Sequence, residues 1–388
     1  MEVQLHSNLV KGKLVLIILL STAFFSQATT VNFYGHTIFF ENASVANLQI
    51  PSRLQQANVS QLSARMQHIA NAKLLNDFAT TQQTYDLDNM GMVLLVQAWS
   101  KQMHSNSSVQ NLAQYTVLKK LNIKVLLTFT SEQLSCFGVL KNQPASSVYI
   151  YYGGIRYTNL DFKNKSLMGN RFIFTDADND SYKVIDVLAK KPKLNAHITQ
   201  RALLWVYNKK TYQLTAKSNA SLMAYLNDLP EYELGERYVV QEGSKAFKES
   251  VIDGLREYSN EFTSLEDKAN FLLSFVQHAF QYQTDQDQYG QEKYNYPEET
   301  VVSAFSDCED RTLLLAYLYK DILHVESIIL YFKDAKHVCL AANIPRYRNG
   351  YSLQYQGLSY QVCEPTGYGF KVGDVSTPLS GITEVIEL

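Results

Sequence analysis

The chain is short of the features that would place it in several common classes. Its 388 residues include only four cysteines, Cys136, Cys308, Cys339 and Cys363. Their spacing excludes a CxxC zinc or redox motif, and four are too few to staple so long a chain as a disulfide scaffold. Lysine and arginine total 35 against 37 acidic residues, so there is no basic footprint for nucleic acid and no acidic tail. No phosphate-binding glycine loop and no dinucleotide fingerprint occur, and neither a cofactor nor a metal is expected. Beyond residue 25 no stretch is apolar enough to cross a bilayer. What remains is an ordinary globular composition, 46% hydrophobic, with 26 tyrosines that suit strands and half-wet surfaces.

The first residues have the pattern of an export signal. Lys11 and Lys13 precede the apolar run "LVLIILLSTAFF" (14–25), and "SQA" (26–28) offers small residues for cleavage. Residues 1–28 are therefore expected to be a signal peptide, and the protein to be exported to a periplasmic or extracellular compartment. An uncleaved anchor is the alternative, although the run is short for a bilayer. No cysteine near its end offers a lipid attachment point, and no membrane span is expected after cleavage.

An α+β chain is expected in three parts. Residues 31–165 mix helical and strand patterns. Residues 166–240 form a β-rich connecting segment, with "RFIFTDAD", "YKVIDVLA", "ALLWVYN" and "TYQLTA" as strands. Residues 241–388 start helical and then alternate. There "TSLEDKANFLLSFVQHAFQY" opens with Ser264 and Asp267 in capping-box spacing, with Leu265, Leu272, Val276 and Phe280 near one face. "SDCEDRTLLLAYLYKDIL" (306–323) reads as a core helix beginning near Cys308. "ESIILYF", "HVCLAAN" and "LSYQVCE" read as strands. A shift of 203 residues lays "KVLLTF" (124–129) over "SIILYF" (327–332), Cys136 over Cys339 and Tyr157 over Tyr360. Residues 31–165 would then be a degenerate copy of 241–388, with Ser105 at the position of Cys308, Leu134 at that of His337 and Asp161 at that of Glu364.

One set of residues can carry chemistry. A thiol attacks acyl carbon as thiolate, and a helix N-terminus favours that negative charge. Cys308 sits at such a start. A nearby imidazole must accept the proton and a third group must orient the ring. His337, at the head of a strand, is the candidate base, because His324 would lie about 24 Å along the helix from Cys308. Glu364 ends an apolar strand before "PTG" and is the candidate orienting acid.

"SDCEDRTLLLAYL", "KHV" and "YQVCEPTG" resemble the three blocks of the transglutaminase-like superfamily, over about residues 240–370. "YQTDQDQYG" and "YPEETVVSAF" resemble that family's run-in to its nucleophile. The resemblance implies a papain-like helix-plus-antiparallel-sheet core, with Cys308 as nucleophile, His337 as base and Glu364 as orienting acid. The chain departs from the family pattern at Ser306, where Gly is usual, at Val338 and Cys339, where an aromatic is common, and at Glu364, where Asp is usual. Gln286, Gln288 and Tyr289 lie in the loop that would supply an oxyanion donor.

"DADNDS" (176–181) begins like a calcium loop, but Ser181 and Val187 stand where Gly and Glu are needed, so a hairpin turn is expected. Asn42 and Asn219 head N-x-S/T triplets. Two functions follow as expectations. The first is an exported cysteine protease or amidase that cleaves peptide or amide bonds through a thioester, with hydrolysis favoured over transamidation and a peptide or protein as substrate. The second is a non-catalytic module that holds peptide in a cleft. The acyl acceptor and the oligomeric state carry no signature in the sequence.

Overall fold

The structure is a computed structural model that describes residues 29–388 apart from 42–44, 46, 146, 165–166, 168, 177–181, 188–189, 236–237, 240 and 346–349. The expected signal, Asn42 and all but the first residue of "DADNDS" lie outside the described residues. The chain is α+β with antiparallel five-stranded sheets. No helix among the described residues is long and apolar enough to cross a membrane.

The first half opens with the hairpin β1 (Thr29–Phe33) and β2 (His36–Phe40). Alternation buries Val31, Phe33, Ile38 and Phe40 on one face. Four helices follow: α1 (Gln56–Ile69), α2 (Ala72–Tyr85), α3 (Asn89–Met103) and α4 (Ser107–Lys120). Asn71, Asp88 and Asn106 cap α2, α3 and α4 by accepting first-turn backbone N–H groups. The half closes with β3 (Val125–Phe129), β4 (Leu134–Gly138), β5 (Tyr149–Tyr152), β6 (Ile155–Asn159) and β7 (Phe172–Ile173).

The second half begins with the hairpin β8 (Ile198–Tyr207) and β9 (Lys210–Asn219), then α5 (Ala220–Asn227). Helix α6 is the continuous run of Lys245–Phe247, a π-helical turn at Lys248–Ile252, and Asp253–Ser259. Helix α7 (Leu265–His278) follows, capped as expected by Ser264, which accepts the Asp267 N–H at 3.0 Å. Next come β10 (Gln281–Tyr282), α8 (Asp285–Tyr289), α9 (Pro297–Thr300), β11 (Phe305–Ser306) and α10 (Cys308–Leu318). The last sheet holds β12 (Ser327–Phe332), β13 (His337–Ala342), β14 (Ser352–Tyr355), β15 (Leu358–Cys363) and β16 (Glu384–Glu387).

The two large sheets share one topology: β5-β6-β4-β3-β7 and β14-β15-β13-β12-β16. Registers agree as well. Phe129 pairs with Leu134, and Phe332 pairs with His337. Tyr149 pairs with Thr158, and Ser352 pairs with Gln361. Both edge hairpins turn through two residues at positive φ, Gly153–Gly154 and Gln356–Gly357, the backbone that right-twisted two-residue turns require. One pairing slips: Phe137 faces Asn159, but its counterpart Leu340 faces Cys363. Asn159 therefore stands at the level of Cys363, so Leu160, and not Asp161, follows it where Glu364 follows Cys363. Ser105 precedes the N-cap Asn106; Ser107 holds the first helical position that Cys308 holds in α10. Residues 104–106 alone join α3 to α4, whereas residues 279–307 run between α7 and α10.

Residues 166–240 divide between neighbours. β7 joins the first sheet, while β8–β9 lies against α7, as β1–β2 lies against α3. Of "YKVIDVLA", the described residues 182–187 make isolated bridges, Lys183 to Ile123 and Ile185 to Leu140, as they cross the end of the first sheet. On β8, Trp205 is buried against Tyr212, Phe275 and Phe271, with ring centroids 5.4, 4.9 and 5.9 Å away. The intervening Leu204 and Val206 face solvent. Helix α10 is buried on every side because it lies between the last sheet and α7. Its Arg311 is held inside by donating to Ser306 Oγ at 3.0 Å and to the Phe280 carbonyl at 2.8 Å.

All four cysteines are buried and free. Cys339 packs with Leu330, Phe332 and Val362 on one face of the last sheet, and Cys363 packs on the opposite face with α10. A disulfide needs Cβ atoms about 3.5–4.5 Å apart with converging bonds, and these two diverge. Thiol counting on the unfolded, unreduced protein should give four free thiols; a Cys339–Cys363 bridge would contradict this strand alternation.

Candidate active site

Asp307 caps α10 by accepting the Asp310 N–H at 3.2 Å, which leaves Cys308 as the first helical residue. The approach to the cap is fixed by the parallel pair of β10 and β11, which joins Tyr282 to Ser306. Helix α10 packs on β13, and the Val338 backbone faces the thiol and favours its charged form. Two larger effects oppose this. Burial, and then the carboxylate of Glu309, hold the Cys308 thiol well above its ordinary range. The thiol donates to Glu309 Oε2 at 2.8 Å.

His337 and Glu364 are brought together by register. β13 and β15 are antiparallel neighbours, so the head of one lies beside the end of the other. His337 Nε2 is 2.8 Å from Glu364 Oε2. Glu364 is 1% exposed, and its carboxylate is fully engaged. Oε1 accepts from the Thr366 N–H at 3.1 Å and the Thr366 hydroxyl at 2.5 Å, and Oε2 also accepts from Ser376 Oγ at 2.5 Å. Burial pushes this carboxyl up, but the hydrogen bonds from His337, Ser376 and Thr366 and the imidazole charge outweigh it and hold it below the ordinary glutamate value. A charged carboxylate makes His337 Nε2 the protonated nitrogen and leaves Nδ1 as the basic one.

The thiol and this pair are not joined. Val338, Leu340 and Ala342 share the α10 side of the sheet with Cys308, whereas His337, at the head of the strand, alternates to the face of Cys339, where its ring stacks on Phe332 with centroids 6.0 Å apart. Among the described residues no hydrogen bond links Cys308 to His337. At the corresponding place in the first sheet stand Ser107, Leu134 and Leu160, without nucleophile or base. There Ser108 Oγ accepts the Leu134 N–H at 3.0 Å.

One contributor carried no motif: Ser376 reaches Glu364 from the segment after Phe370. Two others, Glu309 in "SDCEDRTLLLAYL" and Tyr282 at the start of "YQTDQDQYG", lie inside quoted blocks without being singled out there. The β10–β11 pairing sets Tyr282 beside Ser306, two residues before Cys308, and burial, then the acidic groups around it, raises its phenol well above the usual value. Of the loop residues expected to offer an oxyanion donor, Gln288 instead donates to the Gln283 carbonyl at 3.0 Å.

Beneath the thiol, one oxygen from each of Asp285, Asp307 and Asp310 lies within 4.8 Å of the others, the one grouping among the described residues with metal-ligand spacing. Most of these oxygens already accept protein hydrogens. Asp310 takes the Asn295 N–H at 2.9 Å and Asn295 Nδ2 at 2.7 Å, and Asp285 takes the Lys293 N–H at 2.7 Å. Burial and mutual repulsion push the Asp307 and Asp310 carboxyls well above the ordinary carboxylate range. The native state thus keeps protons that the unfolded chain releases near pH 4. Stability should fall as pH rises above about 4, by at most about 1.4 kcal/mol per pH unit for each proton retained. Asp310→Asn should flatten that slope in urea melts across pH; an unchanged slope would contradict the shared burial.

A comparison of the chain with family models, curated proteins and solved structures found no match to any of them.

Proposed function

We propose that this protein is a cysteine-dependent enzyme of transglutaminase-like fold that hydrolyses peptide or related amide bonds. The observation that carries the reading is the buried, fully hydrogen-bonded Glu364 carboxylate locked onto His337 Nε2, one backbone position from the residue facing the Cys308 thiol. A buried carboxylate is costly unless paired, and pairing it with an imidazole fixes which ring nitrogen is basic.

In this reading the thiol turns from Glu309 toward His337 Nδ1, which accepts its proton. The sulfur attacks the amide carbonyl, the C–N bond breaks, and the imidazolium returns the proton to the departing amine. Water, deprotonated by the same Nδ1, then cleaves the thioester and frees the acid. In this reading Tyr282, a neutral phenol on the strand leading to the cap, would donate to the developing oxyanion. The shared sheet topology supports reading the first half as a copy without the site residues.

The second reading, a peptide-holding module without catalysis, is favoured by one contact: the thiol is bonded to Glu309 and not to His337. Mass spectrometry during incubation with peptide substrates separates the two. The enzyme reading expects an acyl adduct on Cys308, loss of turnover in Cys308→Ala, and a fall of about a thousandfold in kcat for His337→Ala. Peptide binding with no adduct and no turnover would establish the second.

A further inference from the structure

The hydrolytic mechanism leaves one contact unexplained. The thiol must give its proton to His337, yet it is bonded to the carboxylate of Glu309. That carboxylate is half-buried, and among the described residues it makes no ion pair with any lysine or arginine. Two basic residues close in sequence make their contacts elsewhere. Arg311 lies behind the site on Ser306 and Phe280, with its guanidinium 5.4 Å from the Tyr282 ring. Lys293 is held by Glu299 and Asn295, both at 2.6 Å.

The rim around Glu309 is aromatic and acidic. Tyr282, beside Ser306, is 47% exposed. Half-buried Tyr294 lies near enough that the charge of Glu309, after burial, raises its phenol. A carboxylate edged by phenol rings is the arrangement that receives an ammonium or guanidinium group, through an ion pair and through the ring faces. Such a group would also resolve the unexplained contact. Once Glu309 pairs with a cation it no longer needs the thiol as donor, and the thiol can turn to the imidazole.

Resting on the enzyme reading above, we infer that Glu309 is a specificity-determining residue that selects substrates carrying a cationic side chain next to the scissile acyl group, and that the incoming cation draws Glu309 off the Cys308 thiol. The substrate class is a peptide with lysine or arginine flanking the cleaved amide. The wild-type protein is thereby quiet toward neutral or acidic sequences, because its nucleophile stays protonated until a cation arrives.

The test uses the full chain and peptides identical except for Lys, Gln or Glu at the residue flanking the scissile bond. Wild type should give a kcat/KM for the Lys peptide at least about fivefold above the Gln peptide, the scale of one half-exposed ion pair with a cation–π contact, and lowest for Glu. Glu309→Gln should bring the three peptides within about twofold of one another, the limit set by removing that one charge, while Cys308 reacts faster with iodoacetamide. Glu309→Asp, which keeps the charge, should keep the order of preference, and thermal melts establish that each variant is folded. Turnover with no charge preference, a preference that survives Glu309→Gln, or slower labelling in that variant would overturn this inference and leave the enzyme reading standing. No turnover of any peptide by wild type would overturn the enzyme reading itself, and this inference with it.

Discussion

The second half of the chain is organised around a buried negative charge. Glu364, at the end of β15, is out of water, and an ionised carboxylate there is tolerable only if its lone pairs are filled. Four donors fill them: His337 from the neighbouring strand, Thr366 twice from the turn that follows, and Ser376 from the closing segment. They come from three places in the chain, so the register of β13 on β15 and the course of the chain after Phe370 are tied to the same two oxygens. Removing one donor would expose a cost of several kcal/mol, because what remains is a buried charge with an unfilled site.

The start of α10 poses the opposite problem. Helix N-termini favour negative charge, but Asp307, Asp310, Asp285 and Glu309 already crowd the one that bears Cys308. Protonation and hydrogen bonding to Asn295 relieve the lower group. Above it, the thiol keeps its proton and gives it in a hydrogen bond to Glu309. The site is therefore divided into an oriented imidazole–carboxylate pair and a thiol that keeps its proton on Glu309.

Much of this was legible in the sequence because it rests on local signals. The cap at Ser264, the helix beginning at Cys308, and the strands around Leu330, Cys339 and Val362 follow from capping spacing and alternation. The pairing of His337 with Glu364 was readable as a strand head and a strand end of matching chemistry. What was not legible depends on long-range placement. Nothing near Ser376 marks it as a donor to a residue twelve positions earlier. Tyr282 is set beside Ser306 by a two-residue parallel bridge too short to leave a pattern. The one-residue slip between β4 and β6 displaces Asp161 from the level of Glu364, and a gap-free alignment has no means of showing it. The helix from Cys308 reads as having one apolar face, yet Asp310, Arg311 and Thr312 are all buried, because each finds its partners in segments distant in sequence.

The central claim is that the His337–Glu364 pair serves as the base for Cys308. Its most direct test is the rate of Cys308 alkylation by iodoacetamide as a function of pH in Glu309→Gln, where the thiol has lost its carboxylate acceptor, with and without His337→Ala. If the pair takes the thiol's proton, Glu309→Gln should show a reactive limb near neutral pH that the double variant lacks, with rates at pH 7 differing by about a hundredfold. Identical profiles, each rising only at alkaline pH, would show that Cys308 is a structural thiol and that the imidazole has no part in its ionisation.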